Sequence, residues 1–144
     1  MSYYLQTDLK VTPTSCANGV QTYAARLTAT NTATKAEVEA LPAYIKGNGD
    51  DNPAGETLPI IQIYGPVDGA IGTVKISDAP DTYQADITED RRPIKQVYLE
   101  LKPGETRDLT WTMKSGEGQT GTTALAATPT VTPGSESAVS NSAC

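Results

Sequence analysis

The clearest pattern in the chain lies over residues 93–114, where apolar and polar residues alternate on both sides of a Pro103-Gly104 pair. Alternation with a period of two is typical of a β-strand with one buried face. Pro103 fixes φ for the first central position of a turn, and Gly104 accepts the positive φ that a type II turn needs next. The pattern therefore predicts a β-hairpin with a single buried face, with Trp111, the only tryptophan of the chain, at the centre of the core. The apolar positions are Val97, Leu99, Leu101, Leu109, Trp111 and Met113.

Six further stretches predict strands. Pro13 is expected to end the first of them, so that residues 14–19 form a loop carrying Cys16. The stretch 58–64 is almost continuously apolar, which favours the centre of a sheet. In the second strand, residues 20–31, the expected inner residues are Tyr23, Ala25, Leu27 and Ala29. All six predicted strands together cover residues 3–11, 20–31, 58–64, 71–77, 82–88 and 125–131.

A single short helix is predicted between the second and third strands. Thr34 and Glu37 have the spacing of a capping box, in which each side chain accepts a hydrogen bond from an unpaired N–H at the start of a helix. Pro42 is expected to end this helix after at most two turns. We expect Tyr44 and Ile45 to hold the connector against the sheets.

Seven or eight short strands separated by turn residues predict an all-β fold, namely an immunoglobulin-like antiparallel β-sandwich with one short connecting helix. The sandwich domain is expected over residues 1–132. Residues 133–144 are rich in Ser and Ala and predict a flexible tail that ends in Cys144. We find no internal sequence repeat.

The charge balance argues against nucleic acid as a partner. The 144 residues include 17 acidic and 11 basic side chains, which gives a net charge of −6. Phosphate binding needs a basic stripe, and here the basic residues are scattered. The same scatter leaves no polybasic patch for an anionic membrane.

The hydropathy pattern predicts no membrane insertion by this segment, because no apolar run approaches the ~20 residues that cross a bilayer. The first residues lack the charged and apolar regions of a signal peptide. Two interpretations remain open: a short cytosolic protein, or one domain of a longer polypeptide.

Cys16 and Cys144 are the only cysteines, and a chain without histidine cannot complete a zinc site with them. They are either two free thiols or a disulfide that closes nearly the whole chain, stabilising it by up to about 5 kcal/mol. A bridge would imply an oxidising compartment. The terminal position of Cys144, which has no other evident role, favours the bridge.

The sequence offers little catalytic chemistry. The absence of histidine removes Ser-His-Asp and Cys-His arrangements, and the Gly-rich stretch 115–121 lacks the lysine of a phosphate-binding loop. A glycosidase would need two acids facing each other across a cleft, whereas the acids here lie mostly in turns. We therefore expect no enzyme activity.

Two weak binding sites can be suggested from residue types. Asp50 and Asp51, with Asn48, Asn52 and Glu56 nearby, offer oxygen ligands to Ca²⁺ without the spacing of an EF-hand, so a solvated acidic loop is the simpler interpretation. Trp111 shares its face with core residues, which favours burial over sugar stacking. Tyr98, on the other face of its strand, is the better candidate for an exposed aromatic contact.

Several short motifs resemble a known group of proteins. They are Val11-Thr-Pro-Thr-Ser-Cys16, Gly19-Val-Gln-Thr22, Leu41-Pro-Ala-Tyr-Ile-Lys-Gly47, Tyr64-Gly-Pro-Val67, Asp90-Arg-Arg-Pro93, Leu101-Lys-Pro-Gly-Glu-Thr106 and Gly118-Gln-Thr-Gly121 followed by Thr128-Pro129. In this order they are similar to the C-terminal extracytoplasmic region of actinobacterial cell-envelope proteins from an uncharacterised family.

The resemblance implies an exported β-rich module whose parent chain has a membrane-anchored N-terminal part. It supplies no catalytic residues, although Arg92 falls at a recurrent position and is a second weak candidate for ligand binding. The first hypothesis is thus a non-enzymatic exported module with a spacer or protein-interaction role. The alternative is a module that binds cell-wall polysaccharide, assisted by Ca²⁺. Two further hypotheses remain. An enzyme that uses paired acids would require two carboxylates that converge in a cleft, and a cytosolic interaction domain would require that both thiols are free.

Overall fold

The computed structural model describes residues 2–47, 53–78, 84–131, 134–138 and 141–144. A 3₁₀ turn at Ser2–Tyr4 precedes the strands. The two helices are α1 (Lys35–Ala40) and α2 (Ala43–Lys46). The strands are β1 (Leu5–Ala17), β2 (Val20–Asn31), β3 (Ile60–Tyr64), β4 (Ala70–Ile71), β5 (Lys75–Ile76), β6 (Gln84–Glu89), β7 (Arg92–Tyr98), β8 (Thr106–Lys114) and β9 (Glu136–Ala138).

The strands form two sheets whose apolar faces share one core. The larger sheet has the order β4–β8–β2–β1–β9, with β5 also paired to β8, and the smaller sheet has the order β3–β7–β6. The pairings are antiparallel except that of β9 with β1, which is parallel. The predicted all-β sandwich is therefore confirmed. The described residues contain nine strands and two helices, against the seven or eight strands and one helix that were expected.

The first two strands form a hairpin that is longer than predicted. Asn18 and Gly19 have φ values of 52° and 73°, as a two-residue type I′ turn requires. The predicted loop over 14–19 is therefore wrong, because this Asn-Gly pair reverses the chain within two residues. Pro13 does not end β1, since the register shifts between Pro13 and Ser15 and the bulge accommodates a residue without an N–H.

Residues 93–114 do not form the predicted hairpin. β7 pairs with β3 and β6 in the smaller sheet, whereas β8 pairs with β2 in the larger one. The turn itself forms, since Gly104 has a φ of 76° and the Glu105 N–H donates to the Lys102 carbonyl at 2.9 Å. This turn lies on a crossing between the sheets, next to the fully buried Leu101. The two apolar faces therefore meet across the core instead of lying side by side.

Trp111 lies in this shared core with 7% of its surface exposed, so its predicted burial is confirmed. The four expected inner residues of β2 are also buried. Each large apolar side chain buried in this way stabilises the fold by about 1.5–3 kcal/mol relative to exposure. The core comprises Val11, Tyr23, Ala25, Leu27, Ala29, Ile63, Val74, Val97, Leu99, Leu101, Leu109, Trp111 and Met113.

The predicted capping box starts α1. The Glu37 N–H donates to the Thr34 hydroxyl at 3.3 Å, and the Thr34 N–H donates to the Glu37 carboxylate at 2.8 Å. Val38 is the buried residue of this connector. The prediction that Tyr44 and Ile45 hold it against the sheets is wrong, because both are exposed and Tyr44 retains 88% of its accessible surface.

Three other predicted strands differ in place or length. β3 lies at the edge of the smaller sheet and not at a sheet centre. The stretch 71–77 contains the last residue of β4 and all of β5, two short strands that both pair with β8. β6 begins at Gln84, and Tyr83 of the predicted strand lies outside the described residues.

The C-terminal stretch also differs. Residues 125–131 form no strand, and β9 lies instead in the region that was expected to contain no strand. The Ser135 carbonyl accepts from the Leu9 N–H at 2.8 Å, and the Ser135 N–H and hydroxyl both donate to the Asp8 carboxylate at 2.7 Å. These two hydrogen bonds lower the pKa of Asp8.

Candidate functional site

The smaller sheet carries the same five-residue pattern on two neighbouring strands. β3 reads Ile60-Ile-Gln-Ile-Tyr64 and β7 contains Ile94-Lys-Gln-Val-Tyr98, so both have the form Ile-x-Gln-x-Tyr. Because side chains alternate between the two faces of a strand, the Ile, Gln and Tyr of each pattern share one face. The opposite face enters the core at Ile63 and Val97.

The register places the two patterns directly against each other. Gln62 is opposite Gln96, and on either side of this pair an isoleucine is opposite a tyrosine. Since the strands are antiparallel, exchanging them superimposes one pattern on the other about an approximate two-fold axis at the glutamine pair. We call this surface the tyrosine–glutamine face. It comprises Ile60, Gln62, Tyr64, Ile87, Ile94, Gln96 and Tyr98.

A row of hydrogen bonds crosses the centre of this face. The Gln62 side-chain amide donates to the Gln96 side-chain oxygen at 3.1 Å. The Tyr64 hydroxyl donates to the Gln62 oxygen at 3.2 Å, and the Gln96 amide donates to the Tyr98 hydroxyl at 2.7 Å. Each tyrosine hydroxyl is thus held by the glutamine two residues before it, and the row spans both strands.

Four large side chains on this face remain open to solvent. Ile60, Tyr64, Ile87 and Tyr98 are exposed by 54%, 56%, 42% and 41%. Ile94, which lies between Tyr64 and Ile87 in register, is only 4% exposed because its neighbours cover it. The face is therefore a packed surface with an aromatic group at two opposite corners.

The two suggested ligand residues, Tyr98 and Arg92, lie on the same face of β7. Arg92 is opposite Glu89 in register and donates to the Gly65 carbonyl at 3.1 Å. Tyr98 lies six positions after Arg92, which corresponds to about 20 Å along a strand, so one ligand group cannot contact both. Tyr64, with the two glutamines, is the partner of Tyr98 that the sequence interpretation missed. A comparison of the two pentapeptides would have found it.

At another part of the sandwich, Cys16 and Cys144 form a disulfide bond, with their Cα atoms 5.1 Å apart. The prediction of a bridge is confirmed, and the alternative of two free thiols is wrong. Because disulfides persist in oxidising compartments, the bond hints at an extracellular environment.

The buried side chain of Gln21 holds the chain end next to this disulfide. Its amide nitrogen donates to the carbonyls of Gln119 and Gly121 at 2.9 and 2.8 Å. Its oxygen accepts from the Ala143 N–H at 2.9 Å and from the Ser142 hydroxyl at 3.1 Å. All four hydrogen-bonding positions of one side chain are therefore used to join β2 to two distant segments.

One pair of acids does converge. Burial raises the pKa of the Glu56 carboxyl, and hydrogen bonding to Glu100 and the charge of that neighbour raise it further. Glu56 is 5% exposed, so one carboxyl of the pair is held in its protonated form more readily than a free glutamate.

Asp50 and Asp51, suggested as calcium ligands, lie outside the described residues. Within the described ranges, no group of three or more His, Cys, Asp or Glu side chains is placed to hold a metal ion. No helix in the part of the chain that the structure describes is long and apolar enough to span a membrane.

Comparisons with known proteins give no family assignment: no protein-family model, no curated protein and no solved structure matches the chain.

Proposed function

We propose that this chain is a non-enzymatic module of an exported cell-envelope protein and that it contacts another envelope component through the tyrosine–glutamine face. The observation that carries the proposal is the exposure of two tyrosines and two isoleucines around a hydrogen-bonded glutamine pair. Clustered apolar groups on the outside of a sheet leave surface in water that a partner can cover. Tyrosine suits such a site, because it offers a large apolar ring and a polar tip.

Two further observations support an exported location. The disulfide between β1 and the C-terminal residue suits an oxidising compartment. The sequence motifs that resemble actinobacterial envelope proteins agree with it, and in that setting the module is one extracytoplasmic part of a longer, membrane-anchored chain. The proposed module needs no cofactor, because its contact surface consists only of side chains of the smaller sheet.

Cosedimentation with isolated actinobacterial cell-wall material tests the proposal. The full chain is expected to pellet with this material, and the double variant Tyr64→Ser/Tyr98→Ser is expected to stay in the supernatant. Tyr44→Ser is the matched control, because it also removes an exposed tyrosine, but from α2 and not from the sheet. We expect this control to pellet like the unaltered chain.

A chain that stays in the supernatant with every envelope preparation would contradict the proposal. Equal pelleting of the double variant and the unaltered chain would contradict the assignment of the face. Circular dichroism should give the same spectrum for all three proteins, since the substituted tyrosines are at the surface.

A further inference from the structure

We propose that the tyrosine–glutamine face binds a linear, uncharged glycan, with one sugar ring against each tyrosine and the chain crossing the glutamine pair between them. This inference rests on the proposed function and identifies the chemical class of the partner. It follows from the symmetry, the chemistry, the size and the charge of the face.

The symmetry points to a ligand made of repeated units. Tyr64 and Gln62 form one half of the face, and Tyr98 and Gln96 form the other half at equivalent positions in the register. The hydrogen bonds differ, because the Tyr64 hydroxyl donates to Gln62 whereas the Tyr98 hydroxyl accepts from Gln96. Two half-sites with the same residue types can bind two similar groups, as a polymer of repeated units offers them.

The chemistry of each half-site matches a sugar ring. A pyranose has one flat side of C–H groups, which packs on a tyrosine ring, and a rim of hydroxyls, which need hydrogen-bond partners. Each glutamine amide has two N–H donors, and the row across the face uses one from Gln62 and one from Gln96. The second N–H of each amide can therefore donate to a sugar hydroxyl beside the stacked ring.

The size of the face favours a narrow polymer over a protein. Three strands of about five residues cover about 250 Å². A stable protein partner covers about 800 Å² on each side. The Cα atoms of the two tyrosines lie about 14 Å apart, given four residues along the strand and one strand across. A ligand that reaches both must therefore be an oligomer, and a single sugar contacts only one.

The charges on the sheet favour a neutral ligand. The three rows formed by β3 and β7 on this face hold only isoleucine, glutamine and tyrosine. The ionic groups lie beyond these rows and are balanced in sign. Arg92 and Glu89 are opposite each other at one end. At the other end, two acidic and two basic residues line a pocket together with Tyr98, namely Glu100, Lys102, Glu105 and Arg107. Together with the net charge of −6, this arrangement disfavours phosphate-rich or acidic polymers.

Isothermal titration calorimetry of the full chain with cellohexaose and chitohexaose, and with the disaccharides cellobiose and chitobiose, tests the inference. We expect at least one hexasaccharide to bind, and its disaccharide to bind far more weakly because it spans one half-site. Tyr64→Ser and Tyr98→Ser should each weaken binding of the hexasaccharide by a similar factor, about five- to tenfold for a lost ring contact. Tyr64→Phe and Tyr98→Phe keep the ring and should bind more tightly than the serine variants, and Tyr44→Ser should leave the affinity unchanged.

The outcomes separate this inference from the proposed function. If neither hexasaccharide binds while the chain still pellets with cell-wall material, the glycan inference is overturned and the module contacts another component. Pelleting that is lost when the wall material is first digested with protease would identify a polypeptide partner and likewise overturn it. Hexasaccharide binding that both serine variants retain in full would overturn the assignment to this face. Failure to pellet with cell-wall material would contradict the proposed function itself.

Discussion

The outward faces of the two sheets are built from different side chains. On the larger sheet, the Arg26 guanidinium makes two hydrogen bonds to the Asp108 carboxylate, at 3.1 and 2.6 Å, and the Thr28 hydroxyl donates to the same carboxylate at 2.6 Å. On the smaller sheet, the corresponding surface holds tyrosine, isoleucine and a glutamine pair. The first face pairs charges and hydroxyls among themselves. The second leaves large apolar groups exposed to water.

In the larger sheet, residues far apart in sequence are also connected to each other. The disulfide, the buried Gln21 and β9 all join β1 or β2 to residues near the C-terminus. The smaller sheet has none of these connections among the described residues. The comparison therefore predicts that changes in the larger sheet alter stability, whereas changes on the tyrosine–glutamine face alter binding.

The largest expected effect is that of breaking the disulfide. Cys16 and Cys144 are separated by 128 residues in sequence, and for a loop of this length the chain-entropy model predicts a loss of about 5 kcal/mol in the free energy of unfolding. Urea unfolding followed by Trp111 fluorescence, with and without reductant, measures it. The control is Cys16→Ser/Cys144→Ser, whose unfolding midpoint should not respond to reductant. Equal midpoints for the oxidised and reduced protein would show that the larger sheet does not depend on this closure.

A matched pair of glutamine substitutions gives the next largest effect. Gln21→Ala leaves two carbonyls and the Ala143 N–H without their partner, and we expect a loss of about 2–3 kcal/mol in the free energy of unfolding. Gln96→Ala on the smaller sheet should change that free energy by no more than about 0.5 kcal/mol, because its side chain lies at the surface. Denaturant unfolding of both variants measures the difference. Similar losses from the two substitutions would remove the distinction between the sheets.

Local patterns predicted much of the fold. The alternation in β2 gave both its bounds and its inner face, and the spacing of Thr34 and Glu37 gave the helix start. The Asn18-Gly19 hairpin was equally readable, because this pair is a strong signal for a type I′ turn. These features depend on residues close together in sequence.

The pairing of β7 and β8 could not be read in the same way. Each strand has one buried face, and this pattern fits both a hairpin and two strands that face each other across a core. The choice depends on non-local contacts, such as the register that sets Arg26 of β2 near Asp108 of β8. A turn sequence fixes the local backbone but not the sheet that the next strand joins.

The candidate site was only half predicted for a related reason. The apolar run in β3 was interpreted as the centre of a sheet, because apolar residues on both faces usually mean burial on both. In the structure, Ile61 and Ile63 face the core while Ile60 and Tyr64 are exposed. An exposed apolar face and a buried face have the same composition, so the sequence pattern does not separate them. The Ile-x-Gln-x-Tyr pattern that β3 and β7 share is the feature of the sequence that marks this surface.

The smallest expected effect concerns the polar face of the larger sheet. Hydrogen bonds from Arg26 and Thr28 lower the pKa of Asp108 below its usual value of 3.8. A lowered pKa means that the ionised carboxylate stabilises the folded chain above pH 3.8 and that this contribution is lost as the pH falls through the folded-state pKa.

Because the pair of Arg26 and Asp108 is near the surface, Asp108→Asn should lower the free energy of unfolding by no more than about 1 kcal/mol at neutral pH. Its melting temperature should also fall less than that of the unaltered chain on acidification, with Glu117→Gln on an exposed turn as the charge-matched control. If the curves of Asp108→Asn and of the unaltered chain run parallel through this acid range, the ion pair does not contribute to stability, and this distinction between the two outward faces is lost.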